Sequence, residues 1–291
     1  METVVVMVSG LADHDVAARV WFDLPGSVLV RHDLSEEGVV RRWLDGVVTE
    51  LEAGCVSCAI REDMLRIGGR IVWHLDPLLE PAVVRRALEE SGVRVECVIT
   101  VLDAESWLED ALSDASMVTD QRTVAQVVVA QVEAADVLVL QGEADDRTLA
   151  VLDRLAPNAV RCTPETVVVQ RASRPKLIPL VPSDGVSTAV FTADRPFHPV
   201  RLNDALDVLL DGSVVRARGC LWVADEPDVA MRLESAGCGL HVGEAGPWGG
   251  MPGQQIVAIT LGCPDSLVAT FEEALLTDDE LSFVESIRKV S

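Results

Sequence analysis

The sequence predicts an α/β protein in two parts: a mostly parallel sheet with helices on both faces, then a smaller α+β domain. Three observations carry this. Through residues 1–162 short apolar runs alternate with amphipathic helical patterns, the rhythm of strand–helix units whose strands are covered on both sides. Residues 163–186 contain Pro164, Pro175, Pro179 and Pro182, a density that marks a linker. From 187 to 285 a new strand–helix pattern starts.

Each element has a local reason. Val4–Val8 is a short β-branched run and reads as a buried strand, as does Ser27–Arg31. Glu37–Leu44 sets Val39, Val40, Trp43 and Leu44 at helical spacing and predicts a helix. Arg70–Leu75, Arg94–Leu102 and Asp136–Leu140 read as further strands. Pro81–Leu88, Ala104–Leu112, Arg122–Ala134 and Arg147–Leu155 read as the helices between and after them. In the second part Ser187–Thr192, Ala217–Ala224 and Gln255–Leu261 are predicted strands. Pro199 opens a helix with Leu202, Leu206, Leu209 and Leu210 on one face, and Gly212 follows its end. Ser266–Leu275 is a second helix, with Leu267, Phe271 and Leu275 on one side.

Composition narrows the function classes. With 291 residues there is room for two cores, and 49% hydrophobic residues exclude general disorder. Tyr is absent and aromatics reach only 4%, so Val, Leu and Ala must build those cores. A net charge of −23 repels phosphate backbones, so direct nucleic-acid binding is not expected. The same charge suits basic protein partners or, more simply, solubility. Seven cysteines, mostly scattered, form no disulfide framework and suit a reducing cytoplasm. No run approaches a membrane span, and Val4–Val8 is too short for a signal-peptide core.

The chemistry concentrates in Gly54-Cys55-Val56-Ser57-Cys58-Ala59-Ile60-Arg61-Glu62-Asp63. Two thiols three positions apart, ahead of a charged helix start, can both turn toward one thiophilic ion, and zinc is the ion expected. Two other readings stand beside it: a redox pair, which lacks the usual aromatic and proline context, and two half-buried structural thiols. Tetrahedral zinc would need further ligands. Glu62, Asp63, His14, His32 and His74 are the chemical candidates, and the sequence ranks none of them. An open site of this kind exchanges metal faster than a closed set of four thiolates, which suits sensing better than storage. His198 reads as a structural residue in a strand-to-helix turn, and Asp278-Asp279-Glu280 as a solvated helix start.

Several stretches, in order along the chain, resemble the CobW-type family of GTPases and zinc metallochaperones. Gly54–Leu65 is similar to that family's GCxCCxxREDL element, Ala134–Leu140 to the strand before its guanine-reading motif, and Arg195–Leu202 to its RPFHPxR segment. Arg218–Trp222 and Leu275–Glu280 are similar to its later motifs. The resemblance implies a P-loop-NTPase-like domain over 1–162, of G-domain type but degenerate, and a CobW C-terminal domain over 187–285. Two segments, 64–69 and 248–255, look short for the family.

The departures from the family pattern matter as much. Where a phosphate loop needs GxxxxGK[ST], the chain has Gly10-Leu11-Ala12-Asp13-His14-Asp15-Val16-Ala17, without the second glycine, the lysine or the hydroxyl. His74 and Pro77 stand in place of the family's Glu-x-x-Gly, and Gln141-Gly142-Glu143-Ala144 in place of NKxD. Ser57 replaces one thiol of the family's CxCC, which leaves Cys55 and Cys58 as the expected metal ligands and no catalytic residues. Within the family, Arg122–Gln131, Leu209–Gly212 and Leu233–Val242 are similar to a branch that recruits a ribosome hibernation factor of the protein Y class under zinc starvation. That likeness implies a non-catalytic, zinc-responsive adaptor. Its partners would be the basic hibernation factor and, through proteins, the ribosome. The alternative is a metallochaperone that transfers zinc under GTP control.

Overall fold

The computed structural model describes residues 2–11, 15–35, 39–51, 55–117, 121–172 and 177–282. These fall into two compact units, Met1–Asp110 with Ser116–Ile178, and Ala111–Ala115 with Pro179–Ser291.

The first unit is built on eight strands: β1 (Val4–Ser9), β2 (Ser27–Leu34), β3 (Val40–Leu44), β4 (Val47–Glu50), β5 (Arg70–His74), β6 (Arg94–Asp103), β7 (Val137–Gln141) and β8 (Val160–Cys162). They lie in the order β4-β3-β2-β5-β1-β6-β7-β8. From β2 to β8 the neighbours are parallel. Six helices accompany them: α1 (Val16–Asp23), α2 (Val56–Ile67), α3 (Pro81–Glu90), α4 (Trp107–Leu112), α5 (Val124–Glu133) and α6 (Asp146–Leu155). Strand β1 shows why its sequence is a continuous apolar run. Val5 and Met7 face Ile60 and Met64 of α2 and Val84 and Leu88 of α3, while Val6 and Val8 face Val16, Ala17 and Val20 of α1. Both faces are covered, and each such side chain contributes about 1.5–3 kcal/mol of burial.

The predicted helix over Glu37–Leu44 is overturned. Residues 40–44 form β3, antiparallel to both β2 and β4. The reason is the turn that follows. Asp45 and Gly46 have φ of 51° and 76°, the two left-handed residues of a tight hairpin, and Asp-Gly is the dipeptide that favours it. The side chains then alternate: Val40 and Leu44 join the core shared with α2, while Trp43 lines a cleft on the α1 side. Val39, also within that predicted helix, is in neither helix nor strand and donates to Ser35 Oγ at 3.0 Å; Glu37 and Gly38 lie outside the described residues.

The first part of the proline-rich stretch runs along the first unit. Val167 and Val169 pack on the α1-side core. The Cys97 thiol donates to the Gln170 carbonyl at 3.3 Å, and the Ala172 amide to Asp136 Oδ1 at 3.0 Å. Burial pushes the Cys97 thiol up to about 12, so it is an inert structural group.

The second unit is a five-stranded sheet in the order β12-β11-β10-β13-β9. Its strands are β9 (Val186–Ala193), β10 (Val214–Trp222), β11 (Val229–Ala236), β12 (Gly239–Pro247) and β13 (Gln254–Leu261), every pair antiparallel. Helices α7 (Pro199–Leu206) and α8 (Asp265–Glu273) bury Leu202 and Phe271 against it. His198 caps α7, its Nδ1 accepting from the Val200 amide at 3.2 Å. The acidic cluster after α8 is more than a solvated helix start. Glu280 takes two hydrogen bonds from Arg201, at 3.0 and 2.7 Å, and Asp278 one from Arg195 at 2.8 Å. The Arg201 pairing holds the Glu280 carboxyl at about 2.

Gly10 ends β1 with φ of 149°, and a β-carbon there would sit 2.2 Å from the Val101 carbonyl oxygen. Gly10→Ala is therefore expected to lower the thermal unfolding midpoint by roughly 5–10 °C. An unchanged midpoint in calorimetry would show that β1 and β6 are not pressed together in this way.

Candidate functional site

The thiol pair sits where a helix begins. Cys55 is the N-cap of α2, with extended backbone (φ −70°, ψ 127°), and its thiol is exposed. Cys58 lies one turn inside and is half-buried. The first amides of a helix have no partner within it and point outward, which favours negative charge at that end. The Cys55 side chain makes no capping hydrogen bond, but the neighbouring Cys58 amide and thiol lower the Cys55 thiol from its ordinary range, whereas the proximity of Cys55 raises Cys58. The pair is thus asymmetric: Cys55 ionises first and Cys58 keeps its proton longer.

Two turns further along, α2 is anchored to the sheet by a buried polar cluster. Asp63 is 2% exposed. Its Oδ2 meets His32 Nε2 of β2 at 3.1 Å, and its Oδ1 accepts from Arg42 Nη1 of β3 at 2.8 Å. Arg42 also donates to Thr49 of β4 at 3.1 Å. Burial works against the charged carboxylate, but the His32 hydrogen bond and the Arg42 guanidinium outweigh it, and Asp63 stays below the usual carboxylate range. The edge of Trp73 on β5 closes the cluster, its ring centroid 5.7 Å from that of His32.

This arrangement sorts the candidate ligands. Asp63 and His32 are committed to each other. Glu62 points into solvent beside Arg66, 3.6 Å away. His74 ends β5 on the α1 side of the sheet, away from α2. His14 and Gly54 lie outside the described residues. Among the described residues no group of three or more His, Cys, Asp or Glu could hold a metal ion. Among the described residues Cys55 and Cys58 thus stand without a third His, Cys, Asp or Glu grouped with them. The sequence had no signal for the His32–Asp63–Arg42 cluster, whose members come from three separate elements. The Asp45-Gly46 turn was the one legible hint that Arg42 would lie on a strand.

A second feature lies at the carboxyl ends of β1, β6 and β7, where open α/β sheets hold their ligands. A cavity of about 310 Å³ opens there, lined by Leu11, Thr100, Asp103, Trp107, Asp110 and Gln141 among others. None of the described lining residues is Lys or Arg. Burial raises the Asp110 carboxyl, and the neighbouring Glu109 and Asp103 raise it further.

Comparison with known proteins adds the following. Residues 186–275 match the model for the cobalamin synthesis protein cobW C-terminal domain. Zinc chaperone Rv0106 of Mycobacterium tuberculosis is 35% identical over 301 residues, covering 85% of this chain and 74% of its own length. Uncharacterized protein Mb0109 of Mycobacterium bovis matches to the same extent. The Zn(II)-bound YjiA GTPase from E. coli superposes over 95% of the chain with 15% identity and a TM-score of 0.41.

Because the folded Asp63 is more acidic than an ordinary carboxyl, its contribution to stability is present above that ordinary range and is lost as pH falls through the folded value. Asp63→Asn is expected to cost about 3 kcal/mol at pH 7, and the gap to the wild type should shrink as pH drops below about 4. Denaturant unfolding at pH 7 and pH 3 checks this; an equal gap at both would refute the charged latch.

Proposed function

The chain belongs to the CobW family, and on that premise we propose that it is a zinc-handling protein that carries zinc as cargo on Cys55 and Cys58 without nucleotide control. The observation that carries this reading is the exposed, asymmetric thiol pair at the start of a helix anchored from below. Cys55 is the more readily ionised of the two, and both thiols give up their protons as a metal binds. Two thiolates leave coordination positions for a recipient's donors, so the cargo can be handed on rather than locked in. The 35%-identical relative named a zinc chaperone supports the same reading.

Loss of nucleotide control rests on charge. The stretch 10–17 has neither the lysine nor the hydroxyl of a phosphate loop, and the cavity that Leu11 lines carries Asp103 and Asp110. Each exchange of a cation for an anion beside phosphate costs on the order of kilocalories even when screened. The recipient, in this reading, is a basic protein, because a chain of −23 attracts one and repels bare RNA. A hibernation factor of the protein Y class is one such basic protein, and its recruitment rests on the branch likeness alone. The relative's name favours zinc delivery over that adaptor role.

Zinc titration against a chromophoric chelator is expected to give one site in the wild type, weakened at least about tenfold in Cys55→Ser and in Cys58→Ser. Unchanged affinity in both variants would remove the thiol site. Labelled GTP with magnesium is expected to show no saturable binding; micromolar affinity would instead restore the GTP-gated chaperone.

A further inference from the structure

The cavity at the carboxyl ends of β1, β6 and β7 offers phosphate no cation among the described residues, but its walls are not inert. Asp103 ends β6, and Trp107 and Asp110 stand three positions apart on α4, hence on one side of that helix. Gln131 lies near the end of α5. All four line the cavity, and Trp107 and Gln131 are each only 3% exposed.

Each of the four has hydrogen-bonding capacity to spare. Gln131 Nε2 donates to the Pro77 carbonyl at 3.3 Å, which fixes the orientation of the amide and leaves Oε1 without a donor among the described residues. The Thr100 hydroxyl donates to the Gln131 carbonyl at 2.9 Å and ties this part of α5 to β6. Asp103 accepts from the Glu105 amide at 3.0 Å and meets no cation among the described residues. Asp110 has neither a hydrogen bond nor an ion pair among them. The Trp107 indole N–H has no acceptor among them either. A buried polar group without a partner is costly, and a ligand that supplies the missing partners recovers that cost.

This set of free atoms selects the ligand. Two carboxylates and an amide oxygen call for a positively charged group with several N–H donors, and the indole N–H calls for one acceptor. Phosphates and carboxylates are repelled. A metal ion lacks a ligand set, since among the described residues no group of three or more His, Cys, Asp or Glu could hold one. Leu11, Leu102 and Val128 supply apolar wall for a short carbon stem. A volume of about 310 Å³ suits a small molecule.

We propose that this cavity binds a small hydroxylated primary amine, whose ammonium meets Asp103 and Asp110 and donates to Gln131 Oε1 while its hydroxyl oxygen accepts from the Trp107 indole N–H. The bound cation offsets what burial and the neighbouring Glu109 and Asp103 impose on the Asp110 carboxylate. Neither Cys55 nor Cys58 lines the cavity, so the proposal stands independently of zinc.

The probe is 4-amino-1-butanol, titrated by calorimetry into the full chain without zinc. Salt at about 0.15 M screens the diffuse attraction of any amine to so acidic a chain. Saturable binding at one site is expected, weakened at least about tenfold in Asp110→Asn, a half-buried position where the variant should melt as the wild type does. Butylamine, which lacks the hydroxyl, is expected to bind more weakly than the amino alcohol. Trp107→Phe should weaken the amino alcohol and leave butylamine unchanged. Uncharged 1,4-butanediol is expected not to bind. No saturable binding, equal affinity in Asp110→Asn, equal affinity for butanediol, or butylamine binding as tightly as the amino alcohol would each overturn the proposal.

Discussion

The carboxylate of Asp63, taken out of water beneath α2, stays charged because His32 and Arg42 meet it. An unpaired buried charge would cost several kilocalories, so the three side chains must arrive together or not at all. Their convergence sets the height and rotation of α2 on the sheet. The first turn of α2 in turn decides where Cys55 and Cys58 stand. The thiol chemistry at the exposed end of the helix is thus held by a salt-bridge cluster at its buried face.

This dependence explains a division of labour in the first unit. Strands β2, β3 and β4 form an antiparallel meander at one end of the sheet, joined to the parallel part through β2 and β5, and this meander supplies His32, Arg42 and Thr49. The crevice at β1, β6 and β7 differs: among the described residues its lining carries Asp103 and Asp110 and no Lys or Arg.

Much of the architecture was legible from local pattern. The buried run Val4–Val8, the proline at the start of α3 and the leucines of α7 each act within a few residues, and the structure follows them. The hairpin of β3 and β4 was missed because Val40, Trp43 and Leu44 satisfy a helical spacing as well as an alternating one; the Asp45-Gly46 turn decides between them. Strands β11 and β12 were missed too, since their half-exposed residues follow neither period cleanly. At the site, Cys55 and Cys58 were visible because they are neighbours in sequence. The pairing of His32 with Asp63 spans 31 positions and depends on tertiary packing, and the cleft lined by Trp43 likewise joins residues of α1, β2, β3 and β5.

The central claim is that two thiolates, and only two, hold zinc on this chain. X-ray absorption at the zinc edge of the metal-loaded protein counts sulfur neighbours directly. The account predicts two sulfur scatterers at about 2.3 Å with lighter oxygen or nitrogen atoms completing the shell. A shell of four sulfurs, or of none, would contradict it.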